Sequence, residues 1–149
     1  MINKFSGEYR FLSNFYNCRI EYEGLVYPTV EHAFQAAKTT DEAERRSVRD
    51  CSTAGQAKRR GREVTLRPDW DTVKVDVMHE LLLYKFYAAD LGGRLCHTGD
   101  QELIEGNTWG DTFWGVCRGK GSNHLGRLLM QVRREINAAM VEEIRKTKA

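Results

Sequence analysis

The stretch "CRIEYEGLVYPTVEHAFQAAKTT", residues 18–40, changes its period halfway, and that change decides the fold class. Ile20 and Tyr22 alternate with polar neighbours, Glu23-Gly24 offers a turn, and Val26 resumes the alternation, which predicts a short β-hairpin over 18–27. Pro28 stops the strand. Thr29 can cap a helix whose first turn holds Glu31, where the positive end of the helix dipole favours a carboxylate, so a helix over 30–39 follows. Glu31, Gln35 and Lys38 fall on one face of that helix, with Phe34 beside them. A face that carries a carboxylate, an amide and an amine is either solvated or chemical.

Outward from this stretch the helical signals continue. Residues 41–50 and 53–61 read as two short helices, the second closed by Gly61 as a C-cap, with their charges mostly solvated. After Pro68, Asp69 and Asp71 offer caps for a helix over 72–89, with Val73, Val77, Leu81 and Leu82 as its core stripe. Residues 95–106 read as loop plus a short strand at Leu103 and Ile104. A last helix over 123–143 carries Leu125, Leu128, Leu129, Val132 and Ile136 on one stripe, and Gly126 within it permits close packing. The expected fold is a single α+β domain over 1–149, predominantly α-helical with a small antiparallel sheet.

Bulk composition narrows the function. With 149 residues, 41% hydrophobic and 30% charged, the chain suits one globular domain. A net charge of +2 is too small for a general nucleic-acid coat, although "AKRRGR" at 57–62 is locally basic. Cys18, Cys51, Cys96 and Cys117 lie more than twenty residues apart, which fits reduced thiols of a cytoplasmic protein and neither a zinc knuckle nor a redox pair. No structural metal and no cofactor is expected. No apolar run approaches the ~20 residues of a membrane span, and the N-terminal residues lack the apolar region of a secretion signal, so no membrane partner is expected.

Four stretches hold more polar and aromatic detail than packing needs: "FLSNF" (11–15), "EHAFQAAK" (31–38), "TWGDTFWG" (108–115) and "GKGSNHLG" (119–126). The last reads as a Gly-rich approach to a helix N-terminus, where free backbone N–H groups attract phosphate, or as an ordinary capping turn. It lacks the full P-loop pattern. Together with "RPDWDTVKVDVMHELLLYKF" and "TGDQELIE", and in this order, these stretches resemble the NADAR family, the YbiA-like N-glycosidases, over nearly the whole chain. The family pattern fixes an acid three residues before its W-G, which places that acid at Asp111, ahead of Trp114-Gly115.

The resemblance implies cleavage of a glycosidic bond between ribose and an amine nitrogen. Two substrate classes follow from it: phosphoribosylamino-pyrimidines of early riboflavin synthesis, and ADP-ribose on guanine in DNA or RNA. Both carry an exocyclic amine on the anomeric carbon, so the sugar can open to an imine that an enzyme lysine can exchange. Lys38 would be the nucleophile and Glu31 the proton shuttle, with Asp111 orienting ribose hydroxyls or activating water. Lys38 must lose its proton to attack, through burial or a neighbouring cation such as Lys58. Trp70, Phe15 and Trp114 would stack on the base, Arg10 and Asn14 would meet sugar or phosphate, and Gly121 and Asn123 belong to the phosphate approach.

Each of these residues has an ordinary alternative. Lys38 can be a solvated lysine, Glu31 a dipole partner, Asp111 a turn residue, and Trp70 and Trp114 core aromatics. His32 and His124 read as surface or packing residues. A catalytically silent pocket for ADP-ribose or a related nucleotide would keep the aromatic and Gly-rich features but has no need of a neutral lysine beside a carboxylate. A nucleic-acid-binding module would rest on the basic segments alone.

Overall fold

The structure, a computed structural model, describes residues 1–88 and 91–148. The chain divides into two compact units, Ser13–Lys85 and a second one from Met1–Leu12 and the described part of Phe86–Ala149. The class is α+β and predominantly helical, as expected.

In the first unit the hairpin forms from β1 (Ile20–Tyr22) and β2 (Leu25–Tyr27), antiparallel with Ile20 opposite Tyr27 and Tyr22 opposite Leu25. Glu23 and Gly24 both take positive φ, 46° and 87°, the backbone a two-residue hairpin turn demands. Ile20, Tyr22, Leu25 and Tyr27 face inward and Glu21 and Val26 outward, so one face is buried. Helix α1 (Val30–Ala36) starts where expected, with the Thr29 hydroxyl accepting from His32 N–H, but ends three residues before 39. It packs against both strands and against α2 (Glu42–Arg49) and α3 (Ala54–Arg60). All seven α1 residues are buried, which makes it the central helix of this unit. Asp41 and Thr53 cap α2 and α3 by accepting from Glu44 N–H and Gln56 N–H.

Helix α4 (Trp70–Ala88) begins two residues before the expected 72, because the Asp69 carbonyl, not a side chain, receives the Thr72 and Val73 N–H groups. Asp69 instead gives its carboxylate to Arg67. Position 89, the expected end of this helix, lies outside the described residues.

The second unit holds a 3-10 helix (Gly7–Leu12), α5 (Gly92–Cys96), a two-residue parallel pair of β3 (Gly106–Asn107) with β4 (Val116–Cys117), and α6 (His124–Lys148). The expected loop at 95–106 is corrected at its start, since Leu95 and Cys96 close α5. Leu103 makes only an isolated bridge to Ile2, and the parallel pair lies further on. The α6 stripe is buried as predicted, and a methyl at Gly126 would overlap the Leu103 carbonyl, which confirms the close packing there. The helix runs five residues past 143. No described helix is long and apolar enough to cross a membrane.

Candidate active site

Helix α1 answers whether its polar face is solvated. It is not: Glu31, His32 and Gln35 are all buried, so each must find partners inside the protein. His32 packs as expected and is held at both ring nitrogens, with Nδ1 2.7 Å from the Thr29 hydroxyl and Nε2 3.0 Å from the Cys51 carbonyl. A donating Nε2–H and an accepting Nδ1 satisfy both contacts in the neutral ring, and burial lowers its pKa in the same direction. Glu31 is fixed twice. Its N–H donates to the Asn14 carbonyl at 3.1 Å, and its Oε1 accepts from Gln35 Nε2 at 2.8 Å, one helical turn on.

Lys38 lies one step beyond the Ala37 C-cap, in a turn that keeps the α1 direction. Its carbonyl accepts from Arg67 N–H at 2.7 Å, which pins the backbone there. Burial lowers its pKa below the ordinary lysine value; Glu31 pulls it back up, and Arg62, Lys58 and Lys74 push it further down. The structure therefore brings Glu31, Lys38 and Lys58 into one electrostatic cluster. A half-buried amine that sheds its proton more readily than an ordinary lysine, beside a buried carboxylate, can act as a nucleophile with a proton carrier at hand.

The remaining candidates of this unit differ in exposure. Asn14 is buried, with Nδ2 3.5 Å from Met78 Sδ, while its Oδ1 has no hydrogen-bond partner among the described residues. Phe15 is 40% exposed, and Trp70 is 7% exposed with Phe34 against it at 5.0 Å between ring centres. Phe34 thus occupies one side of Trp70.

One residue escaped the sequence reading. Lys85 is fully buried, donates to the Ser13 carbonyl at 2.8 Å and lies 5.6 Å from the Tyr16 ring centre, and burial pulls its pKa down to about 8. The signal was present in "LLLYKF": Lys85 stands four after Leu81 and three after Leu82, on the core stripe of α4.

Arg10, Asp111, Trp114, Gly121 and Asn123 fall in the other unit. Arg10 is exposed at the end of the 3-10 helix. Asp111 Oδ1 accepts from Phe113 N–H at 3.1 Å and Trp114 N–H at 2.9 Å, so this oxygen orders the turn that presents the two rings. Trp114 meets Phe113 edge-on, with ring centres 4.9 Å apart. The phosphate approach needs correction. His124 N–H and Leu125 N–H, free donors in the sequence reading, bond to the carbonyls of Phe113 and Trp114 at 3.1 and 2.9 Å. Asn123 likewise spends its side chain on the protein, accepting from Glu105 N–H and donating to the Leu103 carbonyl at 3.0 Å each. Gly121, at φ 149°, lets this strap pass so close to Gly115 that a methyl would overlap its carbonyl. The four cysteines are free thiols.

Known proteins resemble this chain in sequence and fold. The NADAR domain family matches residues 3–137. The chain is 40% identical over 135 residues to N-glycosidase YbiA of Escherichia coli strain K12, covering 88% of this chain and 84% of that one. It is 42% identical over 135 residues to an N-glycosidase of Nostoc punctiforme, with 86% of each covered. A riboflavin biosynthesis protein of Vibrio vulnificus is 41% identical over 130 residues, which span 85% of this chain and 35% of that protein. The NMR structure of E. coli YbiA matches with a TM-score of 0.83 at 37% identity, over 95% of this chain and 88% of that one. Motif order, fold and relatives agree, and the chain belongs to the NADAR family.

Proposed function

We propose that this chain, an N-glycosidase of the NADAR family, hydrolyses the bond between ribose C1 and an exocyclic amine nitrogen through an imine on Lys38, with Glu31 moving the protons. The observation that carries this reading is the lowered pKa of Lys38 beside buried Glu31, produced by burial and by Arg62, Lys58 and Lys74. A site that only binds nucleotides has no use for an amine poised to lose its proton.

The steps balance without an added reagent. The ring oxygen leaves C1 and takes a proton, giving an open-chain imine between C1 and the base nitrogen. Neutral Lys38 adds to C1, its two protons pass in turn by way of Glu31 to the base nitrogen, and the C1–N bond breaks to release the base as a free amine and leave the Lys38 imine. Water adds to the Lys38 imine, C1 leaves as an aldehyde that recloses to the sugar, and Lys38 returns as an amine. The net reaction consumes one water. Asp111 is proposed to serve the same reaction as its second carboxylate on the strength of its place before Trp114-Gly115.

For the substrate we favour ADP-ribosyl-guanine in nucleic acid over the free phosphoribosylamino-pyrimidine. The last turn of α3 carries Lys58, Arg59 and Arg60, and Arg62 follows, a cationic flank suited to a polyanion. Arg118 and Lys120 add exposed cations in the other unit, and with the His124 and Leu125 N–H groups occupied, phosphate contacts rest chiefly on side chains. The name of the Vibrio relative supports the pyrimidine reading. Borohydride added during turnover should fix the ribose moiety to Lys38 as a reduced amine, read by mass mapping. No adduct, with Lys38→Ala still turning over, would replace the imine by direct attack of water.

A further inference from the structure

Gly61 closes α3 with φ −61° and ψ −21°, right-handed values that any residue adopts, so backbone freedom does not explain a glycine here. Gly61 is the C-cap, as expected from the sequence. What explains the glycine is space: a methyl at Gly61 would overlap Gln35 Oε1 and lie 2.8 Å from its Cδ and 3.0 Å from its Cβ. Gln35 is itself unusual. Its Nε2 donates to Glu31 Oε1, while its Oε1 is buried with no hydrogen-bond partner among the described residues. A buried amide that leaves its carbonyl unmatched is held there by what its other end does.

We propose that Gln35 is a positioning residue for Glu31, fixing the carboxylate by N–H donation, and that Gly61 leaves the room that keeps the Gln35 amide in that place. This rests on the reading of Glu31 as the proton carrier. Gln35 uses its donor on the carboxylate because Glu31, when ionised, only accepts. Turning the amide over would set two acceptors against each other, so the unmatched carbonyl is forced toward Gly61. The end of α3 also bears on Lys38 through charge, since Lys58 and Arg62, on either side of Gly61, both push the Lys38 proton off.

The test is a double-mutant cycle on an ADP-ribosyl-guanine oligonucleotide and on the phosphoribosylamino-pyrimidine, joined to a titration of the Glu31 carboxyl by carbon-13 NMR. In Gly61→Ala the two closest contact atoms, Oε1 and Cδ, belong to the flexible end of Gln35 and its Cβ must give slightly, so the amide should swing off Glu31 with the fold kept. Turnover should fall roughly 10- to 100-fold. Gln35→Leu, which leaves Gly61 untouched and stands in if Gly61→Ala does not fold, should cause a similar loss, and the two changes together should cost no more than Gln35→Leu alone. The Glu31 carboxyl should titrate at higher pH in each variant, because a hydrogen bond to its charged form is gone. An unmoved titration, or losses that multiply in the double variant, would overturn the proposal. If Glu31→Gln is inactive while Gly61→Ala matches the wild type, the positioning role fails alone; if Glu31→Gln is fully active, the proton-carrier reading fails first.

Discussion

Lys85 Nζ donates to the Ser13 carbonyl from a side chain with no solvent exposure, and the next residue, Asn14, gives its own carbonyl to Glu31 N–H. A buried cation therefore ties down the segment on which the carboxylate helix begins. Burial lowers Lys85 from its ordinary value near 10.5 to about 8, so between these values the unfolded chain holds a proton that the folded chain has released. Stability should rise with pH across that window, by on the order of 3 kcal/mol over its full width. Urea midpoints at about pH 7.5 and about pH 9.5 should show this rise in the wild type and a smaller one in Lys85→Met. Equal slopes in the two proteins would remove Lys85 as its source.

The Lys38 amine works only when neutral, so kcat should climb with pH along a limb that lies below the ordinary lysine value. Lys58→Gln removes a charge that pushes the Lys38 proton off, and the limb should move to higher pH. Glu31→Gln removes the charge that retains the proton, and the limb should move the other way even as turnover drops. A limb that ignores both changes belongs to another group.

Glu31→Gln keeps size and hydrogen bonding but cannot carry a proton. Turnover should fall by ~10²–10⁴-fold while ligand binding survives. Wild-type turnover in this variant would take Glu31 out of the chemistry.

Asp111→Asn and Asp111→Ala separate charge from turn geometry. Asparagine keeps an oxygen for the Phe113 and Trp114 N–H groups, so thermal stability should hold while turnover falls, second among carboxylate changes only to the loss at Glu31. Alanine leaves those donors without that acceptor and should also cost about 1–2 kcal/mol of stability. Full activity in Asp111→Asn would return the residue to a turn role.

Salt should weaken binding of an ADP-ribosylated oligonucleotide more steeply than that of the free phosphoribosylamino-pyrimidine, because Lys58, Arg59 and Arg62 would release counterions from several phosphates. Equal slopes for both would mean that only the modified nucleotide is read.

Local chemistry made much of this legible in the sequence. Glu23-Gly24 set the hairpin, Thr29 set the start of α1, and the leucine stripe set α6, because each signal acts within a few residues. Tertiary packing hid the rest. Helix α5 opens on Gly92, where a methyl would lie 2.7 Å from the Phe86 carbonyl and 3.6 Å from Ile136, a crowding that no local pattern announces. Two-residue strands such as β3 and β4 are too short for any periodicity. Gly61 was legible as a C-cap, but only the fold reveals Gln35 beneath it. Glu31 and Lys38 were legible by helical spacing, whereas the burial of Glu31 and the partners of Asp111 depend on residues distant in the fold or on turn geometry.

The strap over 112–115 surrenders its carbonyls to the first amides of α6, and Ser122 N–H adds a bond to the Thr112 carbonyl at 2.8 Å. This segment therefore behaves as an extension of the helix, and its amides should exchange with deuterium as slowly as those of the turn behind them. Insertions here would unstitch the start of α6. Sequence change along this strap is then confined to replacing side chains at fixed length, which leaves length variation to other parts of the chain.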